Sequence, residues 1–197
     1  LAGFEIHPTE HSHAAAAAAV AMARSGRVKA LAKGSLHSDE LLSAVVARDG
    51  LRTDRRISHV YAMAVPAYSK PLFVTDAAVN IAPDLATKRD IVQNAVDLLH
   101  ILGVARPKVA ALSAVETVNP ALASTIAAAA LTVMAARGQL TGCEVDGPLA
   151  FDNAIDPHAA AVKGIVSPVA GQADILLVPD IEAGNMLAKQ LIYFAGA

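Results

Sequence analysis

Residues 165–186 read IVSPVAGQADILLVPDIEAGNM, and this stretch decides the fold class. The apolar run between turn residues predicts a strand over Asp174–Val178 that is buried on both faces, as in a parallel sheet. A polar loop, residues 179–185, follows this strand and leads into a helix. In open α/β sheets, ligands bind beyond the carboxyl ends of the strands. The stretch therefore predicts a ligand-facing loop with three candidate polar side chains: Asp180, Glu182 and Asn185.

Helices and strands alternate along the rest of the chain. Segments with apolar residues at helical spacing are predicted as helices: Thr87–Leu102, Leu122–Arg137 and Ala183–Phe194. Ser12 or His13 is predicted to cap an earlier alanine-rich helix. Short apolar runs are predicted as strands: Val28–Ala32, Ile57–Val65, Pro71–Thr75 and Val109–Ser113. The second and third of these runs are close enough to form an antiparallel hairpin. The predicted fold class is α/β, with a mainly parallel sheet and helices on both faces.

Composition excludes several classes of partner. The chain is 54% hydrophobic and 17% charged, with a net charge of −2. Because it has no basic block, we expect neither nucleic acid nor an anionic membrane as a partner. Cys143 is the single cysteine and cannot form an internal disulfide, which fits a cytoplasmic location. No membrane span or signal peptide is recognisable. The chain begins with Leu1 rather than Met, and we expect it to be a fragment.

The common signatures of nucleotide and metal sites, such as GxGxxG, GxxxxGKS, CxxC and HExxH, are absent from the sequence. The first candidate site is therefore a loop, KGSLHSDELL at residues 33–42. A strand followed by Lys-Gly-Ser and a helix start can hold an anion, because the first backbone N–H groups of a helix are free. Four residues would supply charge, close backbone approach or donors: Lys33, Gly34, Ser35 and His37. The same pattern also fits an ordinary turn in which Ser38 caps the helix.

Three further loops carry clustered polar residues. VTDAAVNIAPD at 74–84 could bind a cation through Asp76, Asn80 and Asp84, or these residues could cap the next helix. LSAVETVNP at 112–120 offers Ser113, Glu116, Thr117 and Asn119, and Asn-Pro also marks an ordinary turn. DGPLAFDNAI at 146–155 offers three residues for acid–base work or for helix capping: Asp146, Asp152 and Asn153. Pattern alone leaves each of these alternatives open.

Taken in order, these loops resemble a known family. The segments that carry the resemblance are KGSLHSDELL, TDAAVNIAPDLATKRDIVQNA, LSAVETVNP, DGPLAFDNAI and SPVAGQADILLVPDIEAGNM. They look like the phosphate acetyltransferase/phosphate butyryltransferase family, and most closely like the acyltransferase part of bifunctional enoyl-CoA hydratase/phosphate acetyltransferases. The resemblance covers Leu31–Ala197 and includes several motifs in the same order.

The resemblance implies a phosphate acyltransferase, which converts acyl-CoA and phosphate to acyl phosphate and CoA without a metal or a redox cofactor. It implies a fold like that of isocitrate and isopropylmalate dehydrogenases, a homodimer, and CoA in a cleft between two domains. Residues 1–34 are then a segment from the first domain, and residues 35–197 form the second. The family's Ser-Arg pair and following Asp are expected beyond Ala197. No catalytic residue is therefore assigned, and we expect the fragment to lack full activity.

The resemblance and the loop positions together assign candidate binding roles. Lys33, Gly34, Ser35 and His37 suit phosphate or the CoA diphosphate. The backbone of a second loop suits CoA or the acyl thioester, through Ser167, Pro168, Val169 and Gly171. Asn153 and Asn185 are candidate hydrogen-bond donors.

Two alternatives remain open at the level of the sequence. One is a metal- and NAD(P)-dependent dehydrogenase of the same fold, with Asp76, Asp84 and Asp152 as metal ligands. The other is a non-catalytic domain for CoA binding or dimerisation.

Overall fold

The computed structural model describes residues 3–197, so Leu1 and Ala2 of the predicted 1–34 segment lie outside the described residues. The chain divides into two compact units between Arg55 and Arg56, and each unit is described by itself. The sequence-based boundary at 34/35 concerns domains of a larger protein and stays a prediction.

The first unit contains helices α1 (Ser12–Arg24) and α2 (Ser38–Val45). The cap of α1 is His11, one residue before Ser12 and two before His13, the predicted caps, and its Nδ1 accepts the N–H of Ala14 at 3.1 Å. Ser38, predicted as the cap of α2, is instead the first residue of that helix.

The predicted strand at Val28–Ala32 is wrong, because this segment has no regular secondary structure. A strand needs a neighbour to satisfy its backbone groups. No strand lies in the described part of the first unit to serve as that neighbour. The apolar residues Val28 and Leu31 are only partly buried there.

The second unit is built on a five-stranded sheet with the order β1-β2-β5-β3-β4. Its strands are β1 (Val60–Met63), β2 (Leu72–Thr75), β3 (Lys108–Leu112), β4 (Glu144–Leu149) and β5 (Ile175–Leu177). β1 and β2 are antiparallel, which confirms the predicted hairpin, and the other three pairings are parallel. The strand within residues 165–186 is therefore the middle strand of a mainly parallel sheet.

Helices cover both faces of this sheet, as predicted. They are α3 (Leu85–Ile101), α4 (Ala123–Ala136), α5 (Phe151–Ile155), α6 (Pro157–Val162) and α7 (Ile181–Phe194). Leu176 of β5 packs in a core with residues of α5, α6 and α7. Its neighbours Ile175 and Leu177 pack in a second core with residues of α3 and α4. The unbroken apolar run of β5 follows from this burial on two sides. No helix in residues 3–197 combines the length and the apolar character needed to cross a membrane.

Candidate functional site

The carboxyl ends of four parallel strands, β2, β3, β4 and β5, share one edge of the sheet. The loops 76–84, 113–122 and 178–180 lie at that edge. The segment 167–171 precedes β5 and therefore belongs to the opposite, amino-end side. The two polar segments that flank β5 in sequence are thus separated by the length of the strand.

The loop 76–84 is held together by its own acidic residue. Asp76 is buried, and its carboxylate accepts the backbone N–H groups of Ala78, Val79 and Asn80 at 3.0–3.1 Å. It also accepts the side-chain amide of Asn80 at 2.6 Å, and that amide donates in addition to the carbonyl of Ile57. Asp76 is therefore engaged in shaping the loop.

The acidic residues considered as metal ligands are not brought together. Asp84 caps α3, because its Oδ1 accepts the N–H of Thr87 at 2.8 Å. This backbone N–H is the main reason that the pKa of Asp84 is lowered. Across residues 3–197, no group of three His, Cys, Asp or Glu side chains is arranged to hold a metal ion. The site with Asp76, Asp84 and Asp152 as ligands, which the dehydrogenase alternative requires, is not assembled.

The loop after β5 packs onto the loop 76–84. Asp180 caps α7 by accepting the N–H of Ala183 at 2.9 Å, and the side-chain amide of Asn185 donates to the carbonyl of Ala77 at 3.3 Å. Gly184 permits this contact, because an added Cβ would lie 3.0 Å from the Cα of Ala77. Asn185, predicted as a ligand donor, thus has a partner within the protein.

The segment 167–171 uses most of its backbone N–H groups internally. The Oγ of Ser167 accepts the N–H groups of Val169 and Ala170 at 3.0 and 3.1 Å. The N–H of Gly171 donates to the carbonyl of Asn153 at 2.8 Å. Pro168 has no N–H to offer. These contacts give the segment a structural role, and its predicted role in CoA binding stays a prediction.

Asn153 is the candidate whose side chain the fold leaves unexplained. It lies in α5 with no exposed surface, and neither its Nδ2 nor its Oδ1 has a hydrogen-bond partner in the described structure. An unsatisfied buried amide costs about 1–3 kcal/mol. The side chain is enclosed on all sides, and its predicted role as a hydrogen-bond donor to a ligand stays a prediction.

The four candidates in the loop 33–42 lie close together in the first unit, and all are exposed: Lys33, Gly34, Ser35 and His37. The ammonium of Lys33 donates to the carbonyl of Leu36 at 3.2 Å. His37 occupies the cap position of α2 but makes no side-chain capping bond. The loop is therefore accessible to an anion, with the N-terminus of α2 beside it, although no strand precedes it.

Two other candidate groups have structural roles. In the loop 113–122, Glu116 pairs with Lys163 at 3.1 Å, and Asn119 accepts the N–H of Ala121 at 3.0 Å. The pKa of Glu116 is lowered, first by its own backbone N–H and then by Lys163. Burial raises the pKa of Cys143 to about 11, so this thiol stays protonated and unreactive near neutral pH.

Lys88 is not among the residues predicted from the sequence pattern. This residue lies in α3 on the same face as Ile91, Val92 and Ala95, which are fully buried, and Lys88 itself is only 8% exposed. The signal was available in the sequence. A lysine three, four and seven residues before apolar core positions is in line with the apolar stripe of the helix.

Comparisons with known proteins agree with one another. A family model described as "Phosphate acetyl/butaryl transferase" matches residues 5–197. A phosphate acetyltransferase of Rhizobium meliloti is 62% identical over 194 residues, covering 98% of this chain and 61% of that protein. A phosphate butyryltransferase of Clostridium acetobutylicum is 43% identical, over 96% of this chain and 64% of that protein. The crystal structure of a branched-chain phosphotransacylase from Enterococcus faecalis V583 matches with a TM-score of 0.86 and 36% identity, over 97% of this chain and 68% of that one.

The chain spans about three fifths of the length of these curated relatives. Within the chain, the match extends from the loop region before α1 to the last residue. It includes both compact units and all the strands of the sheet. The chain belongs to the phosphate acetyl/butyryl transferase family.

Proposed function

We propose that the protein carrying this chain is a phosphate acyltransferase that converts acyl-CoA and inorganic phosphate to acyl phosphate and CoA. The observation that carries the proposal is the family match over residues 5–197. Relatives named for phosphate acetyl or butyryl transfer support it, and so does a phosphotransacylase of the same architecture.

The reaction needs positioned donors rather than a redox group. A phosphate oxygen attacks the thioester carbonyl, a C–O bond forms, and the C–S bond breaks. The CoA sulfur leaves with the electron pair and takes up a proton. The protein must hold an anion in line with the carbonyl and stabilise the oxyanion that develops there. The exposed donors at Lys33, Ser35 and His37 are proposed to bind phosphate or the CoA diphosphate.

Further features are proposed from the family resemblance. The architecture is that of isocitrate and isopropylmalate dehydrogenases, with CoA in a cleft bordered by residues 35–197 and the general base outside residues 1–197. The protein is proposed to be a cytoplasmic homodimer. Its partners are proposed to be acyl-CoA and phosphate, with no metal or redox cofactor, no nucleic acid and no membrane.

The test follows both products in the protein that contains residues 1–197. We expect CoA thiol release from acetyl-CoA or butyryl-CoA to require phosphate and to be matched by acyl phosphate trapped with hydroxylamine. Thiol release without phosphate would indicate a hydrolase. Reduction of NAD(P) with a hydroxy acid and a divalent metal would instead support the dehydrogenase alternative. Binding of CoA without turnover would support the non-catalytic alternative.

The predicted role of Lys33 is tested in the same assay. The Lys33→Ala variant is expected to lose about tenfold in kcat/KM for phosphate, because a hydrogen bond to a charged group contributes about 1.5–3 kcal/mol. Lys29→Ala is the matched control, since Lys29 is an exposed lysine four residues earlier. Equal kinetics for the two variants would remove Lys33 from the site.

A further inference from the structure

A small open pocket lies at the carboxyl edge of the sheet, between the start of α3, one side of α4 and the ends of β3 and β5. Most of its lining is apolar, with residues such as Leu112, Leu131, Leu177 and Pro179. Its charged lining residue is Lys88, and Ser124 adds a hydroxyl group. Ligand pockets commonly combine an apolar wall with a few placed polar groups.

The side-chain ammonium of Lys88 makes no hydrogen bond and no ion pair within residues 3–197. Lys88 is nevertheless only 8% exposed. Burying most of a lysine side chain in apolar surroundings is costly unless its charge is paired, because the charge loses part of its hydration. This burial lowers the pKa of Lys88, while the Asp180 carboxylate acts in the opposite direction. Asp180 is itself engaged as the cap of α7. The side chain of Lys88 is therefore mostly buried and has no close counter-ion, while its ammonium reaches solvent at the mouth of the pocket.

The N-terminus of α4 lies beside the pocket, whose lining includes Ser124 but not Ala123. Its cap position, Leu122, provides no side-chain hydrogen bond. The N–H groups of Ala123 and Ser124, the first two helical residues, have no partner within residues 3–197. The Ser124 hydroxyl lies 2.8 Å from that of Ser113. Free N–H groups and the helix dipole at this end favour a negative charge.

We propose that this pocket binds a phosphate group, with the Lys88 ammonium as its counter-charge and the start of α4 as a second source of donors. Phosphate fits this chemistry because it is a compact anion that accepts several hydrogen bonds. The identification of that group with the inorganic substrate rests on the proposed acyltransferase function. Binding of phosphate to the chain does not rest on it.

The test is a titration of the 197-residue chain with orthophosphate at constant ionic strength, followed by calorimetry and by the rise in Tm. Lys88→Met keeps an unbranched side chain of similar length and removes the charge. We expect it to weaken phosphate binding at least about tenfold, the effect of losing a hydrogen bond to a charged partner. Lys189→Met, at an exposed lysine of α7, is the matched control and should stay within about twofold.

A second variant tests the helix terminus without removing a charge. Ala123→Pro deletes the N–H of the first helical residue, where proline is well tolerated. The preceding Leu122, at φ −115° and ψ 94°, is outside the α region that a following proline disfavours. We expect phosphate binding to weaken about threefold, with the Tm of the free protein unchanged.

Titration with CoA distinguishes the source of the phosphate. Lys88-dependent binding of orthophosphate assigns the pocket to the inorganic substrate, and Lys88-dependent binding of CoA alone assigns it to a phosphate of CoA. The proposal is overturned if neither ligand binds saturably, or if Lys88→Met binds as tightly as Lys189→Met. Phosphate binding without phosphate-dependent CoA release by the protein that contains residues 1–197 would leave the pocket in place and contradict the acyltransferase function. Phosphate-dependent CoA release without binding of phosphate to this pocket would overturn the pocket and support the acyltransferase function.

Discussion

The Gly171→Ala variant is expected to lose about 3 kcal/mol of unfolding free energy, because two separate effects act at this position. Gly171 has φ +77°, a left-handed conformation that costs a residue with a Cβ about 1–2 kcal/mol. An added Cβ would also lie 2.4 Å from the Cα of Pro157 and 2.6 Å from its nitrogen. Because those atoms are backbone, the clash cannot be relieved by a side-chain rotation, and overpacking of this kind costs about 1–3 kcal/mol.

Gly164 provides a control that separates the two effects. Its φ is +67°, but an added Cβ there would meet nothing within 4 Å. Gly164→Ala should therefore lose only the conformational part, about 1–2 kcal/mol. Urea unfolding followed by tyrosine fluorescence measures both variants in the second unit, since the three tyrosines are Tyr61, Tyr68 and Tyr193 and the chain has no tryptophan. Equal losses would show that the contact with Pro157 is not tight.

This comparison also bears on the predicted binding role of residues 167–171. If Gly171 only shapes the turn against α6, its replacement should lower stability with little change in the CoA affinity of the folded fraction. A large loss of CoA affinity at unchanged stability would favour the predicted binding role instead.

Leu176→Ala is expected to lower the unfolding free energy of the second unit by about 3–4 kcal/mol, within the range for leucine truncation in a packed core. Leu176 has no exposed surface and lies in the middle strand, where it pairs with Val74 of β2 and Ala110 of β3. The cavity would be bordered by two neighbouring strands and by the core beneath α7. Such a site has little freedom to collapse.

Ile101→Ala is the control for Leu176→Ala. Ile101 is 83% exposed at the end of α3, and its truncation should change the unfolding free energy by less than about 0.5 kcal/mol. Both variants are measured by the same urea titration. A loss below about 1 kcal/mol for Leu176→Ala would contradict the placement of β5 at the centre of the sheet.

The sequence was sufficient to predict the fold of the second unit because the apolar residues of each element follow the pattern of its burial. β5 reads as an unbroken apolar run because helices cover both of its faces, and α3 reads as a helix because Ile91, Ala95 and Leu99 recur on one side. The segment Val28–Ala32 is also a short apolar run, but no strand lies in the described part of its own unit. Strand formation depends on a partner elsewhere in the chain, and local composition does not reveal that partner.

The candidate site was harder to predict, for a related reason. Residue type indicates that Asp76, Asp180 and Asn185 can form hydrogen bonds, but it does not indicate with which group. The partner of Asn185 is Ala77, 108 residues away in sequence. Polar residues at strand ends can therefore bind a ligand or form hydrogen bonds within the protein. In the structure, Asp76, Asp180 and Asn185 form hydrogen bonds within the protein. Lys88 differs from these residues, because its position in the apolar stripe of α3 is visible in the sequence and already predicts its burial.

The most direct test of the proposed function is the fate of phosphate oxygen in the reaction of acyl-CoA with ¹⁸O-labelled orthophosphate, followed by mass spectrometry. Attack by a phosphate oxygen on the thioester carbonyl predicts an acyl phosphate that retains every labelled oxygen, formed in equal amount to the CoA released. Release of CoA with an unlabelled carboxylic acid as the product, and no labelled acyl phosphate, would contradict the assignment as a phosphate acyltransferase.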